Sequence, residues 1–156
     1  KMKTASLISA CTTCGASSVT DDPDIILRMK DFGENVGIAF QIKDDLLDYS
    51  GNGLTGKKEG NDIKEKKITL PLIHALREAG PVERRRIIRI IRRKKKGRKD
   101  IEDVIEFVKR KNGLQYAESI MKEYSEKALQ ALHEYPESET RAALIRFVEY
   151  STLRQK

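Results

Sequence analysis

Apolar positions recur every three to four residues along nearly the whole chain. The alternation of β-branched residues that marks strands is absent, and Leu, Ile, Ala, Glu, Lys and Arg dominate. The pattern predicts a small-residue helix from Lys3 to about Ala16, ending near Gly15. Asp22-Pro23 marks a second start, with Asp22 as cap and Pro23 in the first turn. That helix is expected to run to about Tyr49, long for a globular protein. Ser50 to Asn61 holds four glycines and reads as a loop. Thr69 is expected to cap a helix to Ala79, closed by Gly80. Pro81 opens the next, whose Ile87, Ile88, Ile90 and Ile91 share an apolar face, and Gly97 breaks it. Asp100 should cap a helix to about Lys111. Another follows Asn112-Gly113 to about Tyr135, stopped by Pro136. The last spans roughly Glu137 to Arg154, with Ala143, Leu144, Phe147 and Val148 turned inward. The predicted fold class is all-α, a helical bundle, with no internal repeat.

The chain has 156 residues, which suits one domain with a core that needs neither disulfides nor a structural metal. We expect a single helical domain over residues 1–156. No stretch approaches the ~20 apolar residues of a spanning helix. Lys1 to Ala10 does not read as a signal peptide, because Thr4, Ser6 and Ser9 interrupt it. The two cysteines are too few for a secreted disulfide scaffold, so a cytoplasmic location is expected. Cys11 and Cys14 have a redox-like spacing, yet they stand among small helical residues and are expected to pack in the core.

The net charge of +7 is local rather than global. Residues 84–99 carry eleven Lys or Arg and no acid, which leaves 20 basic against 24 acidic residues elsewhere. With isoleucines at i, i+1, i+3 and i+4, this block forms an amphipathic basic helix compatible with peripheral contact at a membrane surface. Nucleic acid is not expected as a partner, because no aromatic residue interleaves the block.

The chemistry concentrates at the end of the second helix. With Gln41 at zero on a wheel of about 100° per residue, Asp44 falls near −60°, Asp45 near +40°, Asp48 near −20° and Gly37 near −40°. Three carboxylates on one arc repel, and a helix tolerates this where a cation sits against them. The bland alternative is a solvated acidic face. Here Gly37, Phe40 and Gln41 frame the carboxylates on a largely apolar helix, which favours a cavity over bulk water. Mg²⁺ suits the i, i+1, i+4 spacing, since it takes one or two carboxylates and completes its shell with water and phosphate. Lysines that could meet a phosphate lie on both sides, with Lys3 upstream and Lys57, Lys58, Lys64, Lys66 and Lys67 downstream. Gly51 to Gly56 matches a dinucleotide fingerprint and, with Lys57, most of a P-loop. No strand precedes it and Lys58 stands where Ser or Thr would bind magnesium, so the glycines read as a flap. Arg154 reads as surface charge.

Phe40-Gln41-Ile42-Lys43-Asp44-Asp45-Leu46-Leu47-Asp48-Tyr49 resembles the second aspartate-rich motif of the trans-type polyprenyl diphosphate synthases. Lys3-Thr4-Ala5-Ser6-Leu7-Ile8 is similar to that family's upstream Lys-Thr motif. Gly56 to Asp62, followed by Lys67-Ile68-Thr69-Leu70-Pro71, is similar to its downstream lysine region. The resemblance implies the C-terminal portion of the isoprenoid synthase fold and, in the full enzyme, a homodimer. It implies magnesium-dependent head-to-tail condensation of an allylic diphosphate with isopentenyl diphosphate. Asp44, Asp45 and Asp48 would hold the metal, and Lys3, Lys57 and Lys67 the diphosphate. Thr4 and Gln41 would face the ionising carbon. The family's other aspartate-rich motif lies upstream of the Lys-Thr segment, outside this sequence. The chain is therefore expected to be a fragment, inactive alone. The alternatives are a non-catalytic partner subunit of a prenyl synthase, or a basic helical binding module.

Overall fold

The computed structural model describes residues 3–50 and 60–153, and all regular structure among them is helical. Eight helices are described: α1 (Lys3–Ser17), α2 (Pro23–Leu47), α3 (Asn61–Lys64), α4 (Leu70–Arg77), α5 (Pro81–Arg92), α6 (Arg98–Arg110), α7 (Gly113–His133) and α8 (Glu139–Leu153). Among the described residues, no helix is long and apolar enough to cross a membrane. The helices fall into two compact units. One holds α1, α2 as far as Lys43, and the chain from Ser119 onward; the other spans Asp44–Glu118.

In the first unit the core is small. Phe32 and Val36 of α2, Ala128 and Leu132 of α7, and Val148 of α8 are buried together. Asp22 starts α2 as expected, its Oδ1 accepting the N–H of Asp24 at 2.9 Å. Helix α1 runs through Gly15 to Ser17 instead of stopping there. The apolar stripe of α8 is turned by about one residue from the expected face. Leu144, Ile145 and Val148 pack inward, whereas Ala143 is exposed and Phe147 is 45% exposed. Cys11 and Cys14 are likewise free and exposed, correcting the expected core role. The α1 face that packs is Ala5, Ser9 and Ala16, and it leaves both thiols outside.

The second unit has the larger core, joining Tyr49, Ile63, Leu72, Phe107 and Val108 with Ile87, Ile90 and Ile91 of α5. Those isoleucines are therefore spent inside the protein, and Ile88 is only half-buried. Helix α5 ends at Arg92, five residues before Gly97. Arg84 ties it to the end of α4 by donating to the carbonyls of Leu76 (2.7 Å), Arg77 (3.1 Å) and Ala79 (3.2 Å). Leu76 and Arg77 stand in the last turn of α4, whose carbonyls have no intrahelical partner. Asp100 does not cap α6 from outside. It sits inside the first turn and reaches back to accept the Gly97 N–H at 3.1 Å.

Candidate functional site

Helix α2 stops at Leu47, so the three aspartates do not share one helix as expected. Asp44 and Asp45 stand half-buried on its final turn, and Asp48 lies in the turn beyond it. That turn tightens to three-residue bonds, Tyr49 N to Leu46 O (3.1 Å) and Ser50 N to Leu47 O (3.2 Å). The reason is at Asp48. Its Oδ1 accepts the N–H of Asn61 at 3.1 Å and its Oδ2 that of Asp62 at 3.0 Å. Its carbonyl also accepts the Gly60 N–H at 3.0 Å. The chain thus returns to the acidic motif, and the Asp48 carboxylate satisfies the first free amides of α3. The return needs glycine at position 60, where φ is +72° and a Cβ would lie 2.3 Å from Ile101 Cγ2.

Lys67 follows one turn later and is exposed. Its ammonium pairs with Asp62 (3.1 Å) and Glu65 (2.8 Å), and these hydrogen bonds raise its pKa, so it stays protonated. Surface pairs like these hold the lysine only loosely. A diphosphate could therefore compete for it. Lys57 and Lys58, the Gly51–Gly56 flap and Arg154 lie outside the described residues.

Tyr49 is a residue that the periodicity does not single out. It is almost fully buried, and its hydroxyl meets Thr69 Oγ1 at 2.8 Å. Thr69 precedes α4 in an extended conformation, and its hydroxyl makes no cap bond. Thr69 thus holds the N-cap position of α4 as expected, while its side chain joins the end of the acidic motif to the Leu70-Pro71 segment. Burial, and then the nearby charges of Asp48, Asp45 and Asp62, push the Tyr49 phenol well above its ordinary pKa. The only hint in the sequence is an aromatic residue closing the motif.

In the first unit, Lys3 is exposed and Thr4 half-buried on the first turn of α1, and Gln41 is half-buried on α2. Two glycines bring these helices together. A Cβ on Gly37 would lie 2.4 Å from Ala5 Cα, and one on Gly33 would lie 2.2 Å from Thr12 Oγ1 and 2.8 Å from Ser9 Cα. Ser9 Oγ also donates to the Lys30 carbonyl at 3.0 Å. Gly37 therefore admits α1 to the surface of α2. Ala5 stands against Gly37 and Ser9 against Gly33, so the helices run antiparallel. That register carries the Lys3-Thr4 end of α1 toward the Gln41 end of α2. Beside the contact lies an open groove of about 720 Å³ with Ala5, Ser9, Thr13, Lys30, Glu34 and Ile38 in its walls.

Among the described residues, no three acidic, His or Cys side chains converge into a cage for a metal ion. The donors fit a different kind of binding. Asp44, Asp45 and Asp48 all bring hard oxygen ligands, and both Asp48 oxygens also accept amide hydrogens. That set suits an ion which takes one or two carboxylates and fills its shell from water and phosphate, as Mg²⁺ does.

A family model described as polyprenyl synthetase matches residues 1–108, which include the Lys-Thr segment, the aspartates and Lys67. The chain belongs to the polyprenyl synthetase family. It is 34% identical over 155 residues to octaprenyl diphosphate synthase of Escherichia coli, a match covering 99% of this chain and 48% of that protein. It superposes on geranylgeranyl pyrophosphate synthase of Bacteroides thetaiotaomicron with a TM-score of 0.88 and 34% identity, covering 97% of this chain and 50% of that one. A polyprenyl synthase from Caulobacter crescentus, solved with calcium and isoprenyl diphosphate, gives a TM-score of 0.87 at 34% identity, over 99% and 47%. The chain thus spans about half the length of the family members it matches.

Proposed function

We propose that this chain supplies part of the metal and diphosphate machinery of a trans-type polyprenyl diphosphate synthase. The observation that carries the proposal is the acidic end of α2 in a chain of this family. Asp44 and Asp45 stand half-buried on its last turn, with Asp48 locking the return of the chain beside them. The reaction is the magnesium-dependent, head-to-tail condensation of isopentenyl diphosphate with an allylic diphosphate. Bound Mg²⁺ supplies positive charge that stabilises the departing diphosphate. Asp44 is the principal carboxylate for it, with Asp45 beside it. Asp48 belongs to the same set, its main work being to hold the turn. Lys67, kept protonated by Asp62 and Glu65, takes a diphosphate oxygen. Lys57 and Lys3 take the same role, and Thr4 and Gln41 face the ionising carbon, as the motif resemblance implies.

The same reading makes the full enzyme a cytoplasmic homodimer, and Cys11 and Cys14 of this chain, both free and exposed, suit a reducing compartment. The chain by itself does not turn over. The test is titration of the purified chain with inorganic pyrophosphate, with and without Mg²⁺. Binding should need the metal and be lost in Asp44→Ala. Metal-independent binding, or binding that survives Asp44→Ala, would overturn the assignment. Turnover of an allylic substrate with isopentenyl diphosphate by this chain would refute its inactivity.

A further inference from the structure

The basic block does not work as an inserting amphipathic helix. Ile87, Ile90 and Ile91 are buried in the core of the second unit, so α5 has no apolar face left to place among acyl chains. What remains outside is charge. Part of it is neutralised within the protein: Arg86 pairs with Asp103 (2.8 Å), Arg93 with Asp100 (2.5 Å) and Arg98 with Glu102 (2.7 Å). Arg84 is turned onto the α4 carbonyls, and Lys96 donates to the carbonyls of Lys64 (3.3 Å) and Arg93 (3.2 Å). Arg85, Arg89, Arg92, Lys94, Lys95 and Lys99 remain, all exposed, and among the described residues none of them meets a carboxylate.

Their placement is ordered. On α5, Arg85, Arg89 and Arg92 follow i, i+4, i+7 and fall within an arc of about 60°, opposite the buried isoleucines. Lys94 and Lys95 follow directly after the helix end, and Lys99 lies in the first turn of α6, where with Arg89 it lines a groove that also holds Asp100 and Asp103. Arg85, Arg89 and Arg92 on one side of α5, with Lys94 and Lys95 next in the chain, are like charges that repel one another, and an anionic partner relieves that repulsion.

We propose that this face docks the protein onto anionic lipid headgroups, by charge alone and without insertion. Headgroups can diffuse to match a fixed set of cations, so a polybasic helix face suffices for them. Single-stranded nucleic acid fits less well, because residues 84–99 hold no aromatic side chain on which a base could stack. The choice of lipid also rests on the proposed activity, whose product, a polyprenyl diphosphate, carries a lipophilic chain.

The test is co-sedimentation of the full chain with phosphatidylcholine vesicles, with and without phosphatidylglycerol, at low and high salt. Binding should require the anionic lipid and fall steeply with salt. Each charge removed should weaken it about fivefold, so a triple variant of Arg89→Gln, Lys94→Gln and Lys95→Gln should lose about a hundredfold. That variant should keep magnesium-dependent pyrophosphate binding, whereas Asp44→Ala should keep vesicle binding, so the two proposals can fail separately. Equal binding to uncharged vesicles, no binding to anionic vesicles at low salt, or an unchanged triple variant would overturn the inference. So would tighter binding to duplex DNA than to anionic vesicles at the same salt.

Discussion

Asp48 offers the sharpest test of how the acidic motif is built. Its two carboxylate oxygens accept the amides of Asn61 and Asp62 at 3.1 and 3.0 Å, and the residue is half-buried. A hydrogen bond to a charged group contributes about 1.5–3 kcal/mol when well shielded. Partial exposure places this pair toward the lower end, about 2–4 kcal/mol together. Removing one of three neighbouring carboxylates returns a few tenths of a kcal/mol by relieving repulsion. Asp48→Ala should therefore cost a net ~2–3 kcal/mol. Asp48→Asn should cost about half of that, because one oxygen still accepts while the amide NH₂ faces the second N–H. The bond from Gly60 N to the Asp48 carbonyl survives both changes, so the turn should loosen without unfolding the chain. Urea denaturation in the presence of a chelator measures this without a contribution from metal binding. If Asp48→Ala unfolds within about 0.5 kcal/mol of the parent, the carboxylate is not securing the turn and its structural role is refuted. A companion titration separates the two roles. Asp48→Asn should retain most of the magnesium-dependent pyrophosphate affinity that Asp44→Ala loses.

Two further outcomes follow from the packing. Gly33→Ala places a methyl 2.8 Å from Ser9 Cα, which is backbone and cannot swing aside, so α1 must shift. The expected cost is about 1–3 kcal/mol in thermal or urea unfolding, and an unchanged midpoint would show that α1 is not seated against α2. Tyr49→Phe removes the hydroxyl that meets Thr69 and should cost about 1 kcal/mol at neutral pH. Burial raises the Tyr49 pKa in the folded state, so the folded protein keeps this proton when the unfolded chain has lost it. Stability from this group is thus fully present below pH ~10 and declines above it, by up to ~1.4 kcal/mol per pH unit. Tyr49→Phe should flatten that alkaline decline, and an unchanged slope would show that the buried phenol is not its source.

Much of this protein was legible in its letters because helices announce themselves locally. Periodicity of about 3.6 residues gives the class, and Pro23, Pro81 and Asn112-Gly113 mark real boundaries. The aspartates, the Lys-Thr pair and the downstream lysine were found the same way, since each is a short run of residues. Most of the misplacements depend on contacts between distant segments. Helix α2 was expected to reach Tyr49, but the carboxylate of Asp48 is drawn to amides thirteen and fourteen residues away. Gly37 reads as part of the acidic arc, and only the fold shows that Ala5 packs against it. The rotated face of α8, the exposed cysteines and the buried isoleucines of α5 have the same origin. A stripe on a helix says that one side is apolar, but only the neighbour it meets decides which residues are covered.

The sequence by itself determined an all-helical chain, a family, and a cluster of carboxylates and lysines suited to a metal and a diphosphate. Tertiary structure alone decided that the third aspartate secures a turn, that Tyr49 reaches Thr69, and that the basic block presents only its charged side. The division is physical. Helix propensity and motif chemistry act over a few residues, whereas burial and hydrogen-bond partners are properties of pairs that the fold brings together.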